Sequence, residues 1–359
     1  MIIGSKNKGD WSELYVLLYL LGTRELYAAD EKLERSQSFR FPINKIMRKE
    51  SQTDSVNFKL DGIDSVEIYF NDVLQRTMSS ADFKEEASLL LHDIPLGRGS
   101  FDIPHAEVFL NSIYCNRLAA TSDDITDIRM ELHDVHTGID QNMGFSIKSY
   151  IGGAPTLLNA SGATNFVYKV IGITNAQMDE INAIDTRTKI IDRINAIHHF
   201  GGAISYVKAA NDVFSGNMMM IDSKMENIIA EMLLYSYERN ELDCRAIINH
   251  LEEANPLSYP RKGMYAYKFK KFICAKALGM DPSTVWNGID DANGGYIVAK
   301  SNGEVLAYHL YNRDKFEQYL FDSTKMERAS TSRHGYASLY MENGDMFINL
   351  NLQIRFKDM

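Results

Sequence analysis

Two short segments of the chain carry polar residues that could act together on a phosphate ester. In residues 127–133 every second residue is apolar, which is typical of a half-buried β-strand. The same alternation recurs around Ser146 and puts Ser146 and Lys148 on one face. If the two strands pair, Asp127 and Lys148 lie on the same face of a sheet, where burial of unpaired charges is costly. A bound metal ion or phosphate would compensate for the cost of burying these two charged residues together.

A predicted helix near the N-terminus offers another carboxylate. The helix is expected to begin at Asp10, as N-cap, and to end near Gly22. Apolar residues cover almost every side of it, so Glu13 is an acid on a mostly buried helix. The helix dipole favours acids in the first turn by about 0.3–1 kcal/mol, which alone would explain Glu13. The alternative is a carboxylate that reaches a metal ion beside the sheet.

The composition is that of a globular protein with one large domain or two ordinary ones. Of 359 residues, 45% are hydrophobic and 24% are charged, which argues against disordered and fibrous classes. There is no run of 18 apolar residues and no signal-peptide pattern, so we expect a cytoplasmic protein without a membrane segment. The three scattered cysteines form no CxxC pair, which fits a reducing compartment and argues against structural zinc.

Charge is distributed unevenly along the chain. The net charge of -10 and the pI near 5.4 argue against a protein that coats nucleic acid indiscriminately. Residues 256–280, however, contain six basic residues and no acid, with aromatic residues between them. This stretch predicts a surface that follows phosphates, with Lys268 and Lys271 among its contacts. The alternative is a solvated helix face above aromatic packing.

The remaining patterns predict a mixed α/β (α+β) fold, in which helices flank a mixed central sheet. Isoleucines at helical spacing predict a helix from 175 to about 210. Two β-hairpins are predicted, with turns at 301–303 and 343–344. We expect three parts: a core with the two polar strands at 1–174, a helical subdomain at 175–255, and a C-terminal recognition region with a basic helix and hairpins at 256–359.

The C-terminal segment alternates apolar and polar residues and is predicted to form one strand over 349–356. Its polar side carries Asn351, Gln353 and Arg355, and such amides and guanidinium groups can bind adenine and guanine edges in a major groove. The alternative is an ordinary solvent-facing strand. Just upstream, side chains of the kind that bind phosphates and bases are found at Ser330, Ser332, Arg333 and His334.

With these residues in view, the chain resembles a known family, the HpaII-type restriction endonucleases. The likeness covers nearly the whole chain and is carried by the segments GFSIKS (144–149), TLLNASGATNF (156–166), GGYIVAK (294–300), YHLYNRDKFEQYL (308–320), STSRHG (330–335) and LNLQIRF (350–356). The resemblance implies a type II enzyme that cuts double-stranded DNA at CCGG with Mg²⁺. It also implies a restriction-endonuclease-like core similar to that of the PD-(D/E)xK nucleases, to which the patterns above add a helical insertion and C-terminal β-hairpins.

Nucleases with that core place an aspartate at the start of one strand and a (D/E)-x-K motif on the next. By resemblance, Asp127 would bind the metal ion, Lys148 would occupy the lysine position, and Glu13 would match a glutamate on the first helix. The chain departs from the pattern at Ser146, where Asp or Glu is expected. The second metal ligand is therefore open, and the candidates, in order, are Glu13, Glu131 and the loop acids Asp134 and Asp140.

The same resemblance suggests DNA contacts. Reading CCGG calls for arginines at guanine O6 and N7, which nominates Arg333 and Arg355, with His334 and Gln353 beside them. Contacts to the DNA backbone are expected from Arg328 and, unless they only cap a turn, from Asn159 and Asn165.

We therefore interpret the chain as a Mg²⁺-dependent, sequence-specific endonuclease of the prokaryotic cytoplasm that leaves 5′-phosphates. The alternative is a sequence-specific DNA-binding protein on a degenerate nuclease core, for which Ser146 is the support. A metal-dependent enzyme acting on a small phosphorylated substrate is disfavoured, because the chain has no P-loop pattern. Palindromic sites are usually read by two-fold symmetric dimers, but the sequence leaves open whether the protein is a monomer or a homodimer.

Overall fold

A computed structural model of the protein describes residues 6–30, 32–119, 126–135, 137–309, 313–328 and 336–358. Within these ranges the helices are α1 Lys8–Thr23, α2 Ser80–Asp93, α3 Pro104–Ser112, α4 Asn175–Asn182, α5 Lys189–His199, α6 Asp212–Ile221, α7 Met225–Arg239, α8 Cys244–Ala254, α9 Met264–Leu278 and α10 Arg313–Ser323. None of these helices is both long enough and apolar enough to span a membrane.

The strands of the same ranges are β1 Glu25–Ala29, β2 Arg35–Lys49, β3 Ser55–Lys59, β4 Ser65–Phe70, β5 Val73–Ser79, β6 Ile128–Asp134, β7 Ile139–Ser149, β8 Thr156–Leu158, β9 Asn165–Ile171, β10 Ala203–Ala209, β11 Gly295–Ala299, β12 Val305–His309, β13 Thr324–Met326, β14 Leu339–Glu342, β15 Asp345–Asn351 and β16 Ile354–Phe356.

The largest sheet has nine strands in the order β1-β12-β11-β7-β6-β2-β3-β4-β5. β7 runs parallel to β11 and β1 runs parallel to β12, whereas the other neighbours are antiparallel, so the central sheet is mixed, as expected. Residues 35–42 of the long strand β2 also pair with β1. Six strands, β1, β12, β11, β7, β6 and β2, therefore form a closed ring of backbone pairings.

Helix α1 packs against one face of this ring. All six ring strands place apolar residues in the same hydrophobic cluster as α1, in which Trp11 and Leu18 are fully buried. The N-cap is Asn7, not Asp10 as expected. The Asn7 Oδ1 atom accepts the backbone N–H groups of Gly9 and Asp10, at 2.7 and 3.1 Å. Asp10 instead lies in the first turn, where the helix dipole favours an acid.

The opposite face of β7 and β11 is covered by the C-terminal half of the chain. Successive residues of β11 alternate between two hydrophobic clusters, because Ile297 lies on the α1 side while Tyr296 and Val298 pack with α9 and α10. Helix α9 contacts β7, β8 and β11 on this side. The central sheet is therefore covered on both faces at β7 and β11.

Two smaller sheets join the parts of the chain. One has the order β10-β9-β15-β14 and the other has the order β13-β16-β8. Each combines a strand from before residue 174 with C-terminal strands, and the first also takes β10 from the helical part. The helices of residues 175–255 pack in the same hydrophobic cluster as α9 and α10. The three-part division stays a prediction, and in the fold its parts share strands and a core.

Two predicted elements are corrected by the structure. The helix predicted from 175 to about 210 is interrupted, because α5 ends before Gly201, whose φ of 80° is left-handed, and β10 then pairs with β9. The single strand predicted over 349–356 is two strands, because β15 pairs with β9 whereas β16 pairs with β8 and β13. Between them the Leu352 N–H group donates to the Thr164 carbonyl at 2.9 Å, where the chain changes partners.

Both predicted hairpins are confirmed. Strands β11 and β12 pair antiparallel on either side of the first turn, and β14 and β15 do so on either side of the second. At the second turn Asn343 and Gly344 have φ angles of 51° and 84°. Two-residue hairpin turns with two left-handed residues favour an Asn-Gly pair, which explains why the sequence signal was reliable here.

A histidine bridges two acids where α2 meets α3. The His105 Nδ1 atom lies 2.6 Å from Glu86 Oε1, and Nε2 lies 3.0 Å from Asp93 Oδ2. Burial alone would lower the pKa of His105, but the hydrogen bonds to Asp93 and Glu86 outweigh it and raise that pKa above its usual value. The folded protein therefore holds protonated His105 more strongly than the unfolded chain does.

We predict that His105→Gln destabilises the protein at acidic pH but not at alkaline pH. The folded-state pKa of His105 is raised above the unfolded value of about 6.5. The stability that protonated His105 contributes is therefore fully present below that value and is lost as the pH rises through the folded-state pKa. About a third of the side chain is exposed, so we expect a loss of only about 1 kcal/mol at pH 6. Thermal unfolding at pH 6 and pH 9 measures it.

The matched control is His92→Gln. His92 is mostly exposed and contacts Asp93 alone among the described acids, so we expect a smaller loss at either pH. Equal destabilisation by His105→Gln at both pH values would contradict the prediction.

Candidate active site

Asp127 lies where the chain enters the central sheet. Its backbone N–H group donates to the Phe145 carbonyl at 3.0 Å, and Ile128, the first residue of β6, pairs with Phe145 of β7. Side chains of a strand alternate between the two faces of a sheet. Ile128 and Phe145 face α1, whereas Ser146 and Lys148 face away from it, on the side that α9 covers.

Two donors from β7 hold the Asp127 carboxylate. The Asp127 Oδ2 atom accepts the backbone N–H group of Ile147 at 2.5 Å and the Ser146 hydroxyl at 3.2 Å. Hydrogen bonds to an ionised carboxylate are stronger than those between neutral groups. Ser146, which departs from the D/E-x-K pattern, therefore orients the aspartate.

The surroundings of Asp127 disfavour its negative charge. Burial raises the pKa of Asp127, and the positive charge of Lys148 and the hydrogen bonds from Ile147 and Ser146 offset this only in part. Lys148 has no hydrogen bond or ion pair with any residue that the structure describes. The structure thus brings Asp127 and Lys148 close enough for their charges to interact, and the polar atoms of Lys148 are available to a ligand.

Two clefts open beside this pair. The Asp127 cleft has a volume of ≈ 360 Å³ and is lined by Asp127, Glu13 and Ile147, among others. The Lys148 cleft has a volume of ≈ 640 Å³ and is lined by Lys148, again with Glu13 and Ile147. Because Glu13 comes from α1 and the other residues come from the start of β6 and the end of β7, three elements meet here.

The other candidate acids lie away from these clefts. Glu131 sits further along β6, where its Oε1 atom is 3.5 Å from the Asn44 amide, and Asp140 contacts His133. Asp134 is buried at the end of β6. Within the described ranges, no three His, Cys, Asp or Glu side chains form a group that could hold a metal ion. Asp127 and Glu13 are the two carboxylates that line the Asp127 cleft.

Sequence reasoning missed a group of cations in the Asp127 cleft. Lys45 and Lys49 of β2 and Arg129 of β6 line it, together with the polar side chain of Asn57. The signal was present in the segment INKIMRKE (43–50), which holds three basic residues among apolar ones. These cations put positive charge beside the Asp127 carboxylate, on a surface where phosphates of a nucleic acid could lie.

Two of the predicted DNA contacts line the Lys148 cleft. Arg355 and Asn159 are found there with Lys325. Arg355 also forms an ion pair with Glu327 at 2.8 Å, and the Gln353 amide donates to the other oxygen of the same carboxylate at 2.8 Å. Glu327 therefore fixes the two polar side chains of β16 and the residue before it.

Asn165 and Asn351, two of the predicted DNA contacts, are buried in the structure. They face each other across β9 and β15, and the Asn351 amide donates to the Asn165 side chain and to the Ser161 carbonyl, both at 2.7 Å. Neither side chain reaches the surface, since the residues are 5% and 1% exposed. Their amides stabilise the turn before β9 in this structure.

Three predicted phosphate contacts are engaged within the protein. Lys268 and Lys271 form ion pairs with acids outside α9. The Arg328 guanidinium donates to Ser236 at 2.9 and 2.6 Å and lies over the Tyr237 ring. Any contact of these residues with DNA would require exchange of these partners. The remaining predicted contacts, which lie outside the described residues, are Ser330, Ser332, Arg333 and His334.

The whole chain is similar to proteins of one enzyme family. The profile of the HpaII restriction endonuclease family matches residues 7–356. Over 359 residues the chain is 39% identical to the type II restriction enzyme HpaII of Haemophilus parainfluenzae, and the match covers 98% of both chains. No solved structure matches the chain. The chain therefore belongs to the HpaII restriction endonuclease family, and it is a type II site-specific deoxyribonuclease.

Proposed function

We propose that the protein is a Mg²⁺-dependent restriction endonuclease that cuts double-stranded DNA at CCGG and leaves 5′-phosphates. The observation that carries the proposal is the meeting of Asp127 and Lys148 at the junction of β6 and β7. It occurs in a chain that is 39% identical to a type II restriction enzyme over nearly its full length. The CCGG site and the metal ion are what the family resemblance implies.

The order of elements around the pair supports a PD-(D/E)xK-like core. Asp127 directly precedes β6, the Ser146-x-Lys148 sequence lies on the adjoining strand β7, and Glu13 lies on α1. A long connection that contains β8–β10 and α4–α9 follows β7; its last helix, α9, packs on the sheet, and β11 then runs parallel to β7. These are the positions that the resemblance assigns to the aspartate, the lysine motif and the helix glutamate.

The residues present fit a magnesium ion. Asp127 and Glu13 line one cleft, and burial leaves the Asp127 charge incompletely compensated by the protein. Mg²⁺ prefers hard oxygen ligands, keeps several waters and is usually held by one or two carboxylates. Asp127 and Glu13 would hold it. Glu131, the second candidate ligand, would have to act from further along β6.

When bound, magnesium would offset charge on the phosphate and favour ionisation of a nearby water. The protein would contribute the positions of the other groups. Ser146 and the Ile147 N–H group hold the Asp127 carboxylate in one orientation. The Lys148 ammonium would donate hydrogen bonds to the scissile phosphate and to the attacking water, which stabilises the charge that develops there. The water oxygen forms a bond to phosphorus and gives up a proton to solvent, while the bond to the 3′ oxygen breaks and that oxygen takes a proton from solvent, which leaves a 3′-hydroxyl and a 5′-phosphate.

The surroundings of the two clefts suggest how DNA would be held. Lys45, Lys49 and Arg129 would follow phosphates on the Asp127 side. Arg355 would approach a guanine from the Lys148 side, where Arg333 and His334 remain predicted partners. Because CCGG is palindromic, a homodimer with two-fold symmetry would present two such sites.

We predict that Asp127→Ala and Lys148→Ala each slow cleavage of a CCGG duplex by at least about 100-fold. Each variant removes one of the two charges at the junction, and loss of a single charged group that stabilises a transition state typically costs about 10²–10³-fold in rate. Single-turnover cleavage with Mg²⁺, and with EDTA in its place, measures the effect. Lys189→Ala, which removes a surface cation paired with Asp185, is the control and should cut at the wild-type rate.

Binding of the same duplex in EDTA, measured beside cleavage with Mg²⁺, distinguishes the alternative. If the wild-type protein binds CCGG DNA tightly in EDTA and leaves it uncut with Mg²⁺, the protein is a DNA-binding module on a degenerate nuclease core. If it neither binds nor cuts this duplex, the CCGG assignment is wrong.

We predict that Ser146→Asp makes stability depend on Mg²⁺. The new carboxylate would stand beside that of Asp127, and two like charges about 4 Å apart repel by up to about 4 kcal/mol near a protein surface. Without metal we expect the variant to be about 2–4 kcal/mol less stable, and Mg²⁺ to raise its unfolding temperature more than that of the wild type. Ser146→Ala, which removes the hydroxyl without adding charge, should show no such extra gain; an equal gain in all three proteins would contradict the prediction.

A further inference from the structure

A single acid holds two of the side chains that are predicted to read the DNA sequence. The Arg355 Nη1 group donates to Glu327 Oε1 at 2.8 Å, and the Gln353 amide donates to Glu327 Oε2 at 2.8 Å. The Glu327 backbone N–H group also donates to the Gln353 carbonyl at 3.0 Å, one residue beyond the end of β13. Each carboxylate oxygen of Glu327 therefore holds one side chain, and a backbone hydrogen bond holds the acid beside them.

The packing of β13 against β16 determines which way this polar group faces. Met326 of β13 pairs with Ile354 of β16. Both residues are at most 1% exposed and belong to the hydrophobic cluster that includes α9 and α10. Side chains alternate between the two faces along a strand. Burial of Met326 and Ile354 therefore turns Glu327, Gln353 and Arg355 to the opposite face.

Arg355 faces the same cleft as the lysine of the proposed active site. Arg355 lines the Lys148 cleft, and so does Thr156 of β8, which pairs with Arg355. A site of four base pairs is only about 14 Å long, at 3.4 Å per base pair. A side chain that shares a cleft with Lys148 can therefore reach a base close to the phosphate that is cut.

The Arg355 guanidinium is held on one side and keeps donors for a ligand. Its Nη1 group is bound to Glu327, whereas Nε is buried and has no hydrogen-bond partner among the residues that the structure describes. Buried polar groups are normally paired. The guanidinium is planar, and arginine binds guanine O6 and N7 through two of its N–H groups. An arginine whose plane is fixed by an acid is therefore suited to recognise a base edge.

The simpler explanation is an ordinary surface ion pair. The Arg355 and Glu327 side chains are 38% and 29% exposed, and pairs of this kind contribute little to stability. This explanation does not account for the second oxygen of Glu327, which holds Gln353. It also places a negative charge near a cleft that would receive DNA, where the acid repels phosphates. An acid at this position is useful if it orders the side chains that contact bases.

We propose that Glu327 is a positioning residue for sequence recognition, which holds Arg355 in place to contact a guanine and Gln353 to contact a neighbouring base. Side chains that are ordered in advance lose less freedom when DNA binds. An arginine held in one orientation also discriminates against a wrong base, because its donors cannot turn towards another acceptor. The inference rests on the proposed endonuclease function and extends it, because it assigns part of the sequence selectivity to a residue that need not touch DNA.

The test compares Glu327→Ala and Glu327→Gln with the control Asp243→Asn. Asp243 forms an ion pair with Lys357, which follows β16 and does not line the Lys148 cleft, and asparagine can still cap α8. Cleavage with Mg²⁺ and enzyme in excess is measured on a CCGG duplex and on two duplexes with one changed base pair, CCAG and CCGA.

We expect the preference of Glu327→Ala for CCGG, taken as the ratio of cleavage rates, to fall by about 5- to 50-fold. A well-placed arginine–guanine contact contributes about 5- to 150-fold to discrimination. Glu327→Gln keeps one acceptor oxygen and should lie between Glu327→Ala and the wild type, and it carries the comparison if Glu327→Ala does not fold. Asp243→Asn should keep the wild-type ratio. Binding of a duplex without the site, measured in EDTA, should be unchanged or tighter in Glu327→Ala, because a negative charge has been removed.

A double-mutant cycle determines whether Glu327 acts through Arg355. If Glu327 positions Arg355, Glu327→Ala should lower the preference for CCGG less in an Arg355→Met background than in the wild type. Losses of preference that simply add would overturn the proposal. An equal loss of rate on all three duplexes would overturn it as well, because a purely structural role of Glu327, or a phosphate contact by Arg355, changes the rate without changing the ratio.

The two proposals fail in different ways. If the wild type cuts CCGG and Glu327→Ala selects that site equally well, only the role of Glu327 is wrong. If the wild type does not cut with Mg²⁺, the endonuclease proposal fails, and binding of the three duplexes in the same buffer takes the place of cleavage. A loss of the binding preference for CCGG in Glu327→Ala would then support the role of Glu327, and an unchanged or absent preference would overturn it.

Discussion

The hydrogen bonds from Ser146 and Ile147 to the Asp127 carboxylate are the interaction on which the site depends. They exist because Ile128 pairs with Phe145, which fixes the register of β6 against β7. Since side chains alternate along a strand, a slip of one residue would turn Lys148 into the apolar cluster around α1 and bring an isoleucine to the site. Register is well specified here because the apolar residues of both strands fill that cluster.

On one face of the central sheet, a part that is covered by helices lies next to a part that carries polar residues and is open. The closed ring of six strands surrounds one core with α1, while the outer face of β7 and β11 is covered by α9 and α10. Further along the sheet, β2 and β6 present Lys45, Lys49 and Arg129 at the Asp127 cleft. The boundary between the covered and the open part of this face lies at the β6–β7 junction. A charged side chain at this boundary is partly desolvated but still accessible to a ligand, which suits a group that must bind an anion strongly.

How much of the fold and of the site could be predicted from the sequence depends on whether the signal is local in the sequence or comes from distant residues. Period-two alternation predicted that Asp127 and Lys148 share a sheet face, and Asn-Gly chemistry predicted the last hairpin, because both signals are local. The break between β15 and β16 was missed, since alternation continues through Leu352 while the pairing partner changes. The burial of Asn351 could not be predicted for the same reason: an alternating pattern shows which face of a strand a residue occupies, but not what covers that face.

The serine at position 146 follows from these constraints. On a covered face beside Asp127, a second carboxylate would need a cation at all times, and the pKa of Asp127 is already raised by burial. A hydroxyl satisfies the Asp127 carboxylate without adding charge, so the strands can pack before any ligand arrives. Glu13, which lines both clefts from α1, can then supply a negative charge from a separate element. In this arrangement the protein without a bound metal ion avoids the repulsion of adjacent carboxylates. The second carboxylate that would bind the metal ion comes from a helix packed against the sheet, and not from a second residue of the strand pair.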